Sequence, residues 1–300
     1  GADFLTPVEI EVISGAIPAN DLTITGVTST NTITPTAAIA LATIDVDTNS
    51  GTNAGGWIKF IGCANDASFT VDGTRAVIDG NAAAVTCFTW NARSLIWFEN
   101  IEAEDTGAGS YHGFNGVTAT SSGCVFINCC AHNHGGVGWT GTYFSTTYLI
   151  RCVSYSNTSH GFGIGGTNVR YLFCCARDNG SGSAGSGFYM PQTGAVPYGC
   201  ISHGNADDGF QNLGDTSSLI INSVSDGNTD DGIAFASGTY LLQGAVIGAR
   251  VTNQSGAGDV GLQCTSEPIL YGWTYFENNN DNIAGETISQ FIPIENGTTT

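Results

Sequence analysis

Between Val125 and Ile233 apolar and polar positions repeat with a nearly fixed spacing. Small residues recur at Cys129, Cys152, Cys174, Cys200 and Ser223, at intervals of 23, 22, 26 and 23 residues. Ten positions after the small residue stands an apolar one, at Trp139, Phe162, Phe210 and Ile233. In the third repeat Phe188 arrives four positions later, after an insertion rich in Ser and Gly. A period in this range is that of a solenoid, in which each unit buries its apolar face only against its neighbours.

Within each unit the pattern predicts the elements. Ile127, Ile150, Leu172, Tyr198 and Ile221 lie two places before the small residue, and Ala131, Ser154, Ala176, Ser202 and Ser225 two places after it. That period of two predicts a strand with all of these positions on one inward face. Asn157, Asn179, Asn205 and Asn228 follow five places after the small residue. Asn tolerates left-handed backbone and can hydrogen-bond its stacked copies, so the spacing predicts a tight turn repeated along the rod. Gly138, Gly161, Gly187, Gly209 and Gly232 immediately precede the closing apolar residue, where positive φ or a close backbone approach is expected. Strand, Asn turn, Gly and strand, with no helical period, predict an all-β chain folded as a single-stranded right-handed parallel β-helix.

The repeats resemble those of the pectate-lyase-like superfamily, and the chain resembles β-helix proteins found in bacteriophage and environmental genomes. The resemblance covers roughly residues 57–285. It implies a rod whose side chains face glycans, as in a tail spike, fibre or capsid decoration protein. It equally implies the alternative of a polysaccharide lyase or glycoside hydrolase, and a homotrimeric association. Residues 1–56 are rich in Thr and Val, lack the period, and read as a small β cap or docking segment over the first coil. Residues 286–300 read as a C-terminal cover or tail.

Composition narrows the function. Seven Lys and Arg face 26 Asp and Glu, a net charge of −19. Such a surface repels phosphates, so no nucleic-acid partner is expected. It accommodates neutral polysaccharide, cation-bridged partners or other virion and surface proteins. No apolar run is long enough for a bilayer, so no membrane insertion is expected. Ten cysteines could suggest a disulfide framework. Four of them share one column, and Cys130 and Cys175 recur beside it, which suits buried thiols packed as small apolar residues. Free thiols imply folding in a reducing cytosol before placement on a virion or extracellular surface. No CxxC pair occurs, and no metal site is expected in the ladder.

Three groups are candidates for chemistry. His132, Tyr155, Arg177, His203 and Asp226 lie three places after the small residue and should project from successive coils about 5 Å apart, as a saccharide-binding strip. Asp207, Asp208, Asp230 and Asp231, with Asp281 further on, pair carboxylates on adjacent coils. They suit Ca²⁺ or, through Asp208 and Asp231, acid–base catalysis, with Arg177 as the basic group of a lyase. The catalytic elements of the polygalacturonase-like enzymes in the superfamily have no matching set here. His112 and His160 share the column of Asp208 and Asp231, which reads as an outward position with loose demands. The HNH letters of 132–134 lack the ββα-metal context of a nuclease.

Overall fold

The computed structural model describes the chain from 75 to 252 with short breaks at 92–93, 118–120, 182–184, 193, 214–217 and 236–243. Outside that range it describes 8–13, 15–16, 22–23, 31–33, 44–46 and 58–63, then 254, 260–264, 269–271, 275–277 and 281–285. The tail at 286–300 lies outside the described residues.

The fold is a right-handed parallel β-solenoid, with no helix among the described residues. Its strands form one sheet of 21 and one of 10, and every described pairing between named strands is parallel. The coil from Cys152 shows the plan. Val153–Tyr155 lies in the smaller sheet, Asn157 turns inward, Gly161 passes close to the next coil, and Phe162–Leu172 lies in the larger sheet. Phe173 then turns the corner into Cys174. Val8–Ile13, Gly15–Ala16 and Ile44–Val46 add parallel strands at the start of the same stack.

Stacking places each column residue on its copy. The closing apolar residues form a continuous pile of rings: Phe88 on Phe114 at 5.1 Å, then Trp139 at 5.0 Å, Phe162 at 4.8 Å, Phe188 at 4.9 Å and Phe210 at 4.8 Å. These distances match the strand spacing of a sheet, so the fold itself sets the stacking. Each fully buried ring contributes about 1.5–3 kcal/mol by burial. Cys129, Cys152, Cys174 and Cys200 stack beside this pile as buried free thiols.

The Asn column is buried and bonded along the rod. Asn157 Nδ2 donates to Asn179 Oδ1 at 2.9 Å, Asn179 Nδ2 to Asn205 Oδ1 at 2.9 Å, and Asn205 Nδ2 to Asn228 Oδ1 at 2.8 Å. Each Oδ1 also accepts the backbone N–H of the preceding copy. His134 and Gln254 occupy the ends: Asn157 Oδ1 accepts from His134 N, and Gln254 Oε1 from Asn228 N. The left-handed backbone falls one residue earlier, at Asn133, Ser156, Asp178, Gly204 and Gly227.

The structure corrects one expectation and decides between the two alternatives left open at the glycine column. The residue before each small residue is left-handed: Asn128, Arg151, Phe173, Gly199 and Asn222. That corner breaks the period of two. Phe126, Leu149, Tyr171 and Ile220 point inward, whereas Ile127, Ile150, Leu172 and Ile221 are only partly buried and Tyr198 is exposed. The glycine column is required by close approach, not by positive φ. A Cβ on Gly209 would lie 2.6 Å from Gly232 O and 2.8 Å from Asn228 Nδ2.

Candidate functional site

The smaller sheet presents its outer face through the strands Cys130–His132, Val153–Tyr155, Cys175–Arg177, Ile201–His203 and Val224–Asp226. Register pairs His132 with Tyr155, Tyr155 with Arg177, Arg177 with His203 and His203 with Asp226. The five residues of the predicted strip therefore form one ladder, extended by Glu104 before His132 and Thr252 after Asp226.

The side chains interlock along it. The His132 and Tyr155 rings stack at 4.4 Å with planes 7° apart. The Arg177 guanidinium lies 4.2 Å from the centre of the Tyr155 ring and pairs with Asp178 at 2.9 Å. His203 Nδ1 lies 3.2 Å from Asp226 Oδ2, and Thr252 Oγ1 donates to Asp226 Oδ1 at 2.6 Å. Arg177 and His203 are exposed, Tyr155 and Asp226 half-buried. His132 is not open to solvent: it is 5% exposed, and its Nε2 lies 2.9 Å from Glu102 Oε1 and 3.3 Å from Glu104 Oε2. The hydrogen bond from His132 holds the Glu102 carboxyl below its usual range, while burial pushes Glu104 up.

Near the ladder are apolar residues that strand periodicity placed inward or did not single out. Phe173 is 56% exposed at its left-handed corner, and its ring meets Tyr198 edge-on at 5.6 Å. Ile201 is 46% exposed, in the same strand as His203. Exposed rings and polar groups on neighbouring coils offer both halves of saccharide recognition, a flat apolar face and directional hydrogen bonds.

The acidic column differs from the expectation. His112, His160, Asp208 and Asp231 do not occupy a loosely constrained outward position; each takes a backbone N–H from the next coil. His112 Nδ1 accepts from Val137 N, His160 Nδ1 from Ser186 N, Asp208 Oδ1 from Asp231 N and Asp231 Oδ1 from Val260 N, all at 3.0 Å. His and Asp share the column because both offer an acceptor. Asp208 and Asp231 are each 3% exposed. Burial, then the charges of Asp207, Asp231 and Asp230, pushes the Asp208 carboxyl up to about 8. The carboxylates of Asp207, Asp208 and Asp230 come within 4.8 Å of one another, whereas the side chain of Asp281 lies outside the described residues. Asp207 also accepts from Ser186 Oγ at 3.0 Å. The histidines of 132–134 diverge: His132 faces the strip, and His134 is buried, with Nε2 donating to Ala103 O at 3.1 Å.

No family model matches the chain, and no curated protein matches it. Solved structures do. Pectate lyase Pel9A aligns with a TM-score of 0.59 and 15% identity over 98% of this chain and 80% of its own. A rhamnogalacturonan lyase aligns at 0.48 and 17% identity, covering 90% of this chain and 64% of the lyase. The Dettilon tailspike protein aligns at 0.45 and 10% identity, covering 92% and 61%. The likeness to the pectate lyase confirms the fold.

Proposed function

We propose that this chain is a glycan-facing rod of a virion or cell surface, of the tail spike, fibre or capsid decoration kind. Its saccharide contacts are made by Tyr155, Arg177, His203 and Asp226, with His132 as a buried support for Tyr155. The observation that carries this reading is the in-register ladder itself. Five polar or aromatic side chains of four kinds stand on consecutive coils, four of them reachable, at a spacing of about 5 Å. A sugar unit is about as long as one such step, so an extended polysaccharide can lie along the rod. The net charge of −19 favours neutral or cation-bridged glycans over acidic ones. Buried free thiols fit folding in a reducing cytosol, and association into homotrimers belongs to the same reading.

A second reading, as a lyase or glycoside hydrolase, is favoured by Asp208. A carboxyl titrating near 8 keeps its proton at neutral pH and can serve as a general acid beside the Asp207 and Asp230 carboxyls. Incubation with envelope polysaccharides, following chain length and retention together, separates the two. Retention without shortening supports the glycan-facing rod; shortening abolished by Asp208→Asn supports catalysis. If no polysaccharide is retained or shortened, both readings fail.

A further inference from the structure

The outward ladder changes character at its N-terminal end. Ile101–Thr106 lies beside Cys130–His132, with Glu102 opposite Cys130 and Glu104 opposite His132. Two carboxylates thus converge on one imidazole nitrogen, at 2.9 and 3.3 Å from His132 Nε2. That nitrogen offers a single hydrogen and cannot satisfy both with full bonds. The Cys130 thiol completes the group: donor atoms of Glu102, Cys130 and His132 all lie within 4.8 Å of one another.

The opposite nitrogen of the same ring bears on which of the two can bind. His132 Nδ1 is buried and has no hydrogen-bond partner. Neither tautomer changes this, because the lone pair or proton on Nδ1 is unmatched in both. With no hydrogen bond at Nδ1 to fix the tautomer of this 5%-exposed ring, the proton can reside on Nδ1 and leave the Nε2 lone pair facing the two carboxylates, an arrangement that a cation between them stabilises.

We propose that Glu102, Cys130 and His132, with Glu104 as a further carboxylate, bind a thiophilic divalent cation of the zinc class. Thiolate with imidazole and carboxylate selects such an ion over Ca²⁺ or Mg²⁺, which take oxygen donors. Tetrahedral bonds of about 2.0–2.3 Å place donor atoms roughly 3.3–3.8 Å apart, so no donor pair needs to close by more than about 1.5 Å on binding. The glutamates can supply that movement, since their side chains are 23% and 28% exposed and lead to solvent. Arg75 Nη1, 3.7 Å from Glu102 Oε2, steadies the carboxylate from its other oxygen. Binding breaks the Cys130 S–H bond, forms a metal–sulfur bond and releases the proton to solvent. The site depends on no saccharide, although it shares His132 with the glycan ladder.

The test uses the full chain, stripped with chelator and checked by circular dichroism. Zn²⁺ is titrated by calorimetry and Co²⁺ by absorption. One saturable equivalent is expected, with a thiolate-to-Co²⁺ charge-transfer band. Cys130→Ser should remove that band and Glu102→Gln should weaken Zn²⁺ at least tenfold. Cys175→Ser, at a nearby position in the same outer column, should change neither. Absence of saturable binding, or a charge-transfer band that survives Cys130→Ser, overturns the proposal. Should Cys130→Ser fail to fold, Glu102→Gln and Glu104→Gln decide it, and unchanged affinity in both overturns it.

Discussion

Asn179 holds both neighbouring coils through one side chain: its Oδ1 accepts from Asn157 Nδ2 at 2.9 Å, and its Nδ2 donates to Asn205 Oδ1 at 2.9 Å. The same Oδ1 takes the Asn157 backbone N–H at 3.3 Å. Asn179→Ala takes the acceptor from the buried Asn157 backbone N–H and removes two side-chain hydrogen bonds along the column, while Asn157 Nδ2 keeps Ser154 Oγ and Asn205 Oδ1 keeps the backbone N–H of residue 179, so a loss of about 1–3 kcal/mol is expected. Asn179→Asp should be no better, because it sets an acceptor against Asn205 Oδ1. Urea unfolding of the two variants against the parent checks both.

Gly209→Ala should destabilise by steric overlap alone. The added methyl would sit 2.6 Å from Gly232 O, which already accepts the Phe210 N–H and the Ser225 hydroxyl. Opening the stack there is expected to cost about 1–3 kcal/mol, read as a lower urea midpoint. Gly204→Ala tests a different cause, since that residue has φ +63° and any side chain there is strained.

Stability should depend on pH in two opposed ways. Burial lowers His134 to about 3 and His160 to about 4, so the unfolded chain binds more protons below 6.5 and stability falls as pH drops through that range. Asp208 is raised from 3.8 to about 8, so the folded chain holds the extra proton and stability falls as pH rises towards 8. Between pH 6.5 and 8 only the second effect acts, and it should cost about 2 kcal/mol. Asp208→Asn keeps an acceptor for the Asp231 N–H and should flatten that decline in melts taken across the window.

Thiol reactivity should follow burial. Among the eight described cysteines only Cys175 is half-exposed, and the others are buried. Burial pushes Cys124 and Cys130 up to about 12, so neither offers thiolate at neutral pH. Brief alkylation of the metal-free native chain, mapped by mass spectrometry, should modify Cys175 first among these eight. Early modification of Cys152 or Cys174 would show that the column opens.

The stacked columns were legible in the sequence because a solenoid repeats its environment. Once Cys129, Cys152, Cys174 and Cys200 are aligned, the register of His132, Tyr155, Arg177, His203 and Asp226 follows. What periodicity misread lies at corners. A single left-handed residue such as Arg151 or Phe173 reverses which neighbour faces inward, and neither residue type announces that conformation. The acceptor column was hidden because Thr86, His112 and Asp208 share a hydrogen-bonding role without sharing chemistry. Glu102 and Glu104 were missed because their coil is longer: Ile101, the counterpart of Cys129, precedes it by 28 residues. The Asn before each, Asn100 and Asn128, joined by a side-chain hydrogen bond of 2.8 Å, was the available signal.

The glycan account is tested most directly by measuring affinity of the parent chain, Tyr155→Ala and Arg177→Ala for the polysaccharide retained most strongly. The account predicts at least a tenfold loss in each variant with the circular dichroism spectrum preserved, and little change in Asn222→Ala, at an exposed corner outside the ladder. Unchanged affinity in both ladder variants would contradict it.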